Sequence, residues 1–109
     1  MSSWVTPPIA AQESVVWEKR ASHPQRRRLV GGRLYLTPQR LIFQPNRLEK
    51  ATGALTWSAA LQEITAIGPE PAWRPRLRID LDQRVAERFW VTRLEYTGRE
   101  LVELINRLR

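Results

Sequence analysis

The amino-acid sequence predicts a mainly β fold: a small barrel of about seven antiparallel strands, capped by one C-terminal α-helix. Three observations carry this prediction. Short segments alternate between apolar and polar residues, turn-forming residues separate them, and the apolar pattern changes to a helical period near the end of the chain. Because helices do not alternate with the predicted strands, an antiparallel barrel or sandwich is favoured over a parallel sheet.

The chain of 109 residues is long enough for one domain with a modest core. Residues 1–12 contain Pro7-Pro8 and show no hydrophobic periodicity, which indicates a flexible N-terminal arm. Residues 13–109 are therefore predicted to form the folded domain.

The strands are predicted from local patterns along this domain. In order, they are 13–21, 33–37, 40–44, 54–57, 61–67, 76–81 and a last strand that ends near residue 91. Residues 22–28 read as a polar loop, Gly31-Gly32 as a bulge or sharp bend, and 45–53 as a longer loop. Three prolines enforce another loop around Trp73.

Two hairpins give the clearest core predictions. Pro38-Gln39 forms the turn of the first, which places Leu34 and Leu36 opposite Leu41 and Phe43. Asp82-Gln83 forms the turn of the second. Its first strand buries three apolar residues on one face, Leu77, Ile79 and Leu81.

The C-terminal segment changes to a helical pattern. Thr97 and Glu100 have the spacing of a capping box, which predicts that the helix begins there. An apolar stripe follows at helical spacing and consists of Leu101, Leu104, Ile105 and Leu108. The stripe is interpreted as covering the open end of the strand layer, with dimerisation as the alternative.

Composition argues against several functional classes. The absence of cysteine excludes disulfides, thiolate metal sites and a cysteine nucleophile. The single histidine, His23, lies in a predicted loop without an orienting partner, and the acidic residues are scattered. We therefore expect no enzymatic activity, no metal and no cofactor. No apolar run reaches the length of a membrane span, which favours a soluble cytoplasmic protein.

The formal net charge of +7 indicates anionic partners such as nucleic acid, anionic lipid or acidic proteins. However, 16 of the 18 cationic residues are arginine, a proportion that a GC-rich coding bias also explains. The charge by itself therefore does not identify a ligand.

Two basic surfaces are candidate binding sites. Arg26, Arg27 and Arg28 follow one another, and arginine forks suit phosphate oxygens; a solvated basic loop is the alternative. A second surface combines Arg76, Arg78, Arg88 and Trp90 on the last hairpin. It would bind bases by stacking or acidic partners by cation–π contact, unless arginine stems or another segment cover Trp90.

Part of the sequence resembles a known family. The segment GRLYLTPQRLIF, residues 32–43, is similar to the signature hairpin of GRAM domains. The segment LQEITAI at 61–67 and the strand Phe89-Trp90-Val91 before a terminal helix resemble later landmarks of that family, in the same order. Together these segments extend the resemblance over residues 13–109.

The resemblance implies a pleckstrin-homology-like barrel whose loops and edges bind phosphoinositides, membranes or proteins. Lys19, Arg26 and Arg28 loosely match the basic residues with which pleckstrin-homology domains hold inositol phosphates. We therefore expect a binding or adaptor domain for a partner protein or an anionic lipid or phosphate surface. It would be peripheral to the membrane when it binds lipid. A basic nucleic-acid-binding protein is the alternative.

Overall fold

The computed structural model describes residues 13–109, in which seven antiparallel strands are followed by a long C-terminal helix. The strands are β1 (Trp17–Gln25), β2 (Arg28–Leu36), β3 (Arg40–Pro45), β4 (Trp57–Ala60), β5 (Ile64–Glu70), β6 (Arg76–Leu81) and β7 (Arg84–Val91). A short helix, α1 (Arg47–Ala51), precedes β4, a 3₁₀ turn (Leu61–Glu63) precedes β5, and α2 spans Leu94–Leu108. The predicted arm, residues 1–12, lies outside the described residues.

The strands form one sheet in the order β4-β3-β2-β1-β7-β6-β5. Strands β1 and β7 join the two halves of the sheet through only two pairs of residues, Ala21 with Val91 and Ser22 with Trp90. The mainly β fold with seven antiparallel strands and a C-terminal helix is confirmed. Within residues 13–109 the sheet is not closed, since β4 and β5 are its two ends, so the predicted barrel is an open one.

The first predicted hairpin is confirmed as β2 and β3. Leu34 pairs with Phe43 and Leu36 with Leu41, and all four side chains are fully buried. The Thr37 hydroxyl accepts hydrogen bonds from the backbone N–H groups of Gln39 and Arg40, which stabilises the turn. Alternation therefore identified the centre of the core correctly.

Of the bulge or sharp bend predicted at Gly31-Gly32, the bulge is wrong. The β1–β2 register is continuous through both glycines, and Gly32 lies opposite Ala21 on one side and Pro45 on the other. A Cβ on Gly32 would lie 2.3 Å from the Gln44 carbonyl oxygen. Glycine is needed here because β3 passes close to the backbone of β2.

Several element boundaries also differ from the sequence predictions. Strand β1 continues to Gln25, so the predicted loop at 22–28 is reduced to a tight turn in which Arg26 has a φ of 56°. Helix α1 occupies part of the predicted loop at 45–53, and the Asn46 side chain caps it by accepting from the Glu49 N–H. The strand predicted at 54–57 begins instead at Trp57, and the one predicted at 61–67 begins at Ile64.

Helix α2 begins at Leu94, so the predicted capping box at Thr97 is wrong. Thr97 is buried inside the first turns of the helix, and its hydroxyl donates to the Thr92 carbonyl oxygen at 3.0 Å. Glu100 accepts a hydrogen bond from the Trp17 indole at 2.7 Å. The apolar stripe packs against the core as expected, with Leu101 fully buried. Among the described residues, no helix is long and apolar enough to cross a membrane.

Candidate functional site

The β1–β2 hairpin and the segment between α1 and β4 enclose a cavity of about 450 Å³, which we call the hairpin cavity. His23, Gln25 and the three arginines at 26–28 line it on the hairpin side, and residues 52–57 line the opposite side. One wall is therefore the turn end of two central strands and the other a connecting segment. This arrangement allows side chains from β1 to hold the opposite wall in place.

His23 lies at the base of this cavity and is only 6% exposed. Its Nε2 is 2.7 Å from Glu87 Oε1 on β7, and its ring stacks on Phe89 with centroids 4.7 Å apart. The interpretation of His23 as a loop histidine without a partner is therefore wrong. The cause is the extension of β1, because strand alternation directs His23 inward together with Ala21.

Gln25 connects the two walls of the hairpin cavity. Its side-chain amide donates to the Leu55 carbonyl oxygen at 2.7 Å, and the Leu55 N–H donates to Gln25 Oε1 at 2.8 Å. Gln25 Nε2 also lies 3.1 Å from His23 Nδ1. A chain of hydrogen bonds thus runs from Glu87 through His23 and Gln25 to the backbone of the opposite wall.

The structure brings Arg26, Arg27 and Arg28 together at the mouth of this cavity, where all three are exposed. Arg28 is held, because it donates to Glu49 Oε1 at 2.8 Å and to Thr52 Oγ1 at 2.7 Å. Within residues 13–109, the guanidinium groups of Arg26 and Arg27 make no hydrogen bond or ion pair. Two cationic groups are therefore available to a ligand, while the third stabilises the wall.

Lys19 does not join this cluster. It lies six residues before Gln25 on β1, a separation of about 20 Å along an extended strand. There it lines a different depression of about 810 Å³, together with Trp73, Arg74 and Trp90. The set of three basic residues implied by the resemblance is therefore divided between two places in this chain.

The second predicted surface is organised around Glu70, a residue that the sequence did not single out. Arg76 and Arg88 each donate from Nε to Glu70 Oε1, at 2.7 and 2.9 Å, and Arg78 lies 3.1 Å from Glu70 Oε2. These hydrogen bonds, from Arg88 first and then Arg76, lower the pKa of Glu70 to about 2.

Trp90, on the same face, is also in contact with cations. The guanidinium carbon of Arg76 lies 5.6 Å from the centroid of the Trp90 ring, and that of Arg74 lies at 5.8 Å. The arginines of this surface are thus engaged within the domain, by Glu70 on one side and Trp90 on the other. An incoming anion would have to compete with these contacts.

Three exposed leucines lie at the same end of the fold as the hairpin cavity. Leu29 is 40% exposed beside Arg28, Leu48 is 75% exposed on α1, and Leu55 is 64% exposed on the cavity wall. They interrupt polar segments without a periodic pattern, so sequence reasoning does not group them. Leu29 and Leu55 thus place apolar side chains next to the cationic residues of the hairpin cavity.

Known proteins show where this architecture has been seen before. No protein-family model and no curated protein matches the chain. Among solved structures, the chain is similar to the C-terminal domain of an unknown protein from Leishmania infantum. The likeness establishes the fold. It covers 87% of this chain and 86% of that one, with a TM-score of 0.72 and 16% sequence identity.

Proposed function

We propose that this chain is a non-catalytic binding domain of the GRAM type that docks on anionic membranes. In this proposal the hairpin cavity takes a phosphate-bearing headgroup. The observation that carries the proposal is the pair Arg26 and Arg27, whose guanidinium groups are unpaired within the described residues and exposed at the cavity mouth.

The geometry around the pair suits a phosphate ligand. Arginine presents a planar fork of donors that matches phosphate oxygens. Arg28 supports the site indirectly, because its bonds to Glu49 and Thr52 hold the hairpin against the opposite wall. A cavity whose walls are already connected loses less conformational entropy when a ligand binds.

The exposed leucines favour a membrane surface over a free phosphate compound. Leu48 and Leu55 would contact the acyl boundary while the arginines contact the headgroups. Each arginine near an anionic membrane contributes about 1 kcal/mol, so loss of both Arg26 and Arg27 should weaken binding about 30-fold. The net charge of +7 adds a long-range attraction that depends on salt.

The proposal is tested by co-sedimentation with neutral vesicles and with vesicles that contain phosphatidylserine and phosphoinositides, at low salt. We expect wild type to bind the anionic vesicles more strongly, and the double variant Arg26→Glu/Arg27→Glu to lose this preference. The matched control Arg99→Glu/Arg107→Glu changes the net charge equally at two exposed positions of α2. It should retain most of the binding.

Equal loss in the two double variants would mean that total charge, not the hairpin cavity, governs attachment, and the proposal would be wrong. Equal binding of wild type to neutral and anionic vesicles would also contradict it. A partner protein would then be the ligand to seek. For the nucleic-acid alternative, the dependence of affinity on salt would report how many phosphates are contacted.

A further inference from the structure

The hydrogen bonds around His23 define its tautomer. The Leu55 N–H can only donate and the Leu55 carbonyl can only accept, which fixes Gln25 with Oε1 toward the former and Nε2 toward the latter. The second hydrogen on Gln25 Nε2 then points to His23 Nδ1, which must be an unprotonated acceptor. His23 is therefore neutral in this arrangement, with its proton on Nε2, from which it donates to Glu87.

A proton added to neutral His23 can bind only at Nδ1. There the new N–H faces the amide NH₂ of Gln25, so two hydrogen-bond donors oppose each other. Rotating the Gln25 amide by half a turn presents Oε1 to the new Nδ1–H. The same rotation places donor against donor and acceptor against acceptor at Leu55. Protonated His23 is therefore incompatible with the two hydrogen bonds between Gln25 and the Leu55 backbone.

We propose that His23 is a pH-dependent latch on the hairpin cavity: the neutral ring holds Leu55 in place, and the protonated ring releases it and strengthens anion binding. The effect on binding rests on the function proposed above, whereas the latch itself does not. Histidine is the side chain that ordinarily changes charge between about pH 5 and 8, which sets the pH range over which the proposal is tested.

The charged groups around His23 act in opposite directions. From β7, the Glu87 carboxylate favours the protonated ring through the existing hydrogen bond. The arginines of the hairpin turn, which line the same cavity as His23, disfavour it. From β3 and β4, the uncharged rings of Phe43 and Trp57 pack near it.

Release would be confined to the neighbourhood of Leu55. On one side, the Ala54 N–H donates to the Glu49 carbonyl oxygen at 3.0 Å. On the other, the Thr56 hydroxyl donates to Gln44 Oε1 at 2.6 Å. Both anchors are independent of His23. Protonation would thus release the backbone at Leu55 and add a positive charge to the cavity wall, and the added charge favours an anionic ligand.

The latch is tested without ligand by NMR between about pH 8 and pH 5.5. At high pH, the imidazole nitrogen signals should show the Nε2–H tautomer of His23. As the pH falls, the Leu55 amide and the Gln25 side-chain amide should shift with the same midpoint as His23. The protection factor of the Leu55 amide, which corrects for intrinsic exchange, should fall about tenfold or more.

Two variants separate the latch from general effects of pH. Glu87→Gln keeps an acceptor for Nε2–H and removes the carboxylate, so the Leu55 transition should move to lower pH. His23→Phe should abolish the Leu55 transition. If His23→Phe does not fold, the shift of the transition in Glu87→Gln is the deciding result. The proposal is overturned if His23 titrates while Leu55 and Gln25 stay unchanged, if the neutral tautomer is Nδ1–H, or if His23 stays neutral throughout.

The coupling to binding is measured by calorimetry with myo-inositol hexakissulfate, because sulfate esters keep a constant charge over this pH range. Wild-type affinity should rise about tenfold from pH 8 to 5.5, as expected for one added charge near the ligand, and less in Glu87→Gln. An equal rise in both proteins would refute the coupling. Absence of binding at both pH values would count against the proposed function, whereas the latch is judged by the NMR result.

Discussion

Replacing Gly32 with alanine should destabilise the domain strongly, because β3 passes over this position. The added Cβ would lie 2.3 Å from the Gln44 carbonyl oxygen and 2.9 Å from Pro45 Cα, against 3.4 Å for an ordinary contact. Both neighbours are backbone atoms, so no change of rotamer relieves the clash. The ladder between β2 and β3 must open by about 1 Å, a distortion that close-packed interiors resist.

The magnitude follows from two opposing effects. Overpacking a filled site costs about 1–3 kcal/mol, and a backbone clash belongs at the upper end of that range. Alanine also reduces the entropy of the unfolded chain, which offsets about 0.4–1 kcal/mol. The free energy of unfolding of Gly32→Ala should therefore fall by about 2 kcal/mol, and the Tm by about 10 °C.

Urea unfolding followed by tryptophan fluorescence and circular dichroism measures this difference. Gly68→Ala is the matched control, because its Cβ would have no neighbour within 4 Å and its φ is not positive. It should leave stability unchanged or raise it by up to about 1 kcal/mol. If Gly32→Ala proves as stable as Gly68→Ala, the close approach of β3 is not the reason for this glycine.

Two further predictions concern Glu70 and Thr97. Because the pKa of Glu70 in the folded protein is lowered to about 2, its stabilising contribution is complete above the ordinary glutamate range and disappears as the pH falls toward 2. The stability difference between wild type and Glu70→Gln in urea titrations should therefore shrink from about pH 4.5 to pH 2, and a constant difference would contradict the assignment. Thr97→Val should lower the free energy of unfolding in urea by about 1 kcal/mol, because it removes the buried hydrogen bond to the Thr92 carbonyl oxygen. An unchanged urea midpoint would show that this bond does not stabilise the fold.

The predictable part of the fold was the part whose pattern is local and repeated. Alternation along 33–37 and 40–44 identified the buried faces because every second side chain of a half-buried strand points to the core. The helical stripe was found for the same reason. The start of α2 was missed because the pattern at Thr97 satisfies a capping box and, equally, fits a hydroxyl that bonds back to a carbonyl oxygen.

The candidate site was predictable only where its residues are neighbours in sequence. Arg26, Arg27 and Arg28 could be found together because they are adjacent. The partner of His23 could not, since Glu87 lies 64 residues away and is brought close only by the join of β1 to β7. Glu70 was missed for a similar reason, because its ion-pair partner Arg88 belongs to β7, and β6 lies between β7 and the strand of Glu70.

The narrow join between β1 and β7 has a consequence for how the chain folds. Its two residue pairs connect positions about 70 residues apart, while the other strand pairs link consecutive strands. Each half can therefore form from local hairpins, but the halves meet only after a long loop has closed. The ring contact between His23 and Phe89 crosses this join, so it should form late. We expect folding in milliseconds to seconds, with the final rate set by that encounter.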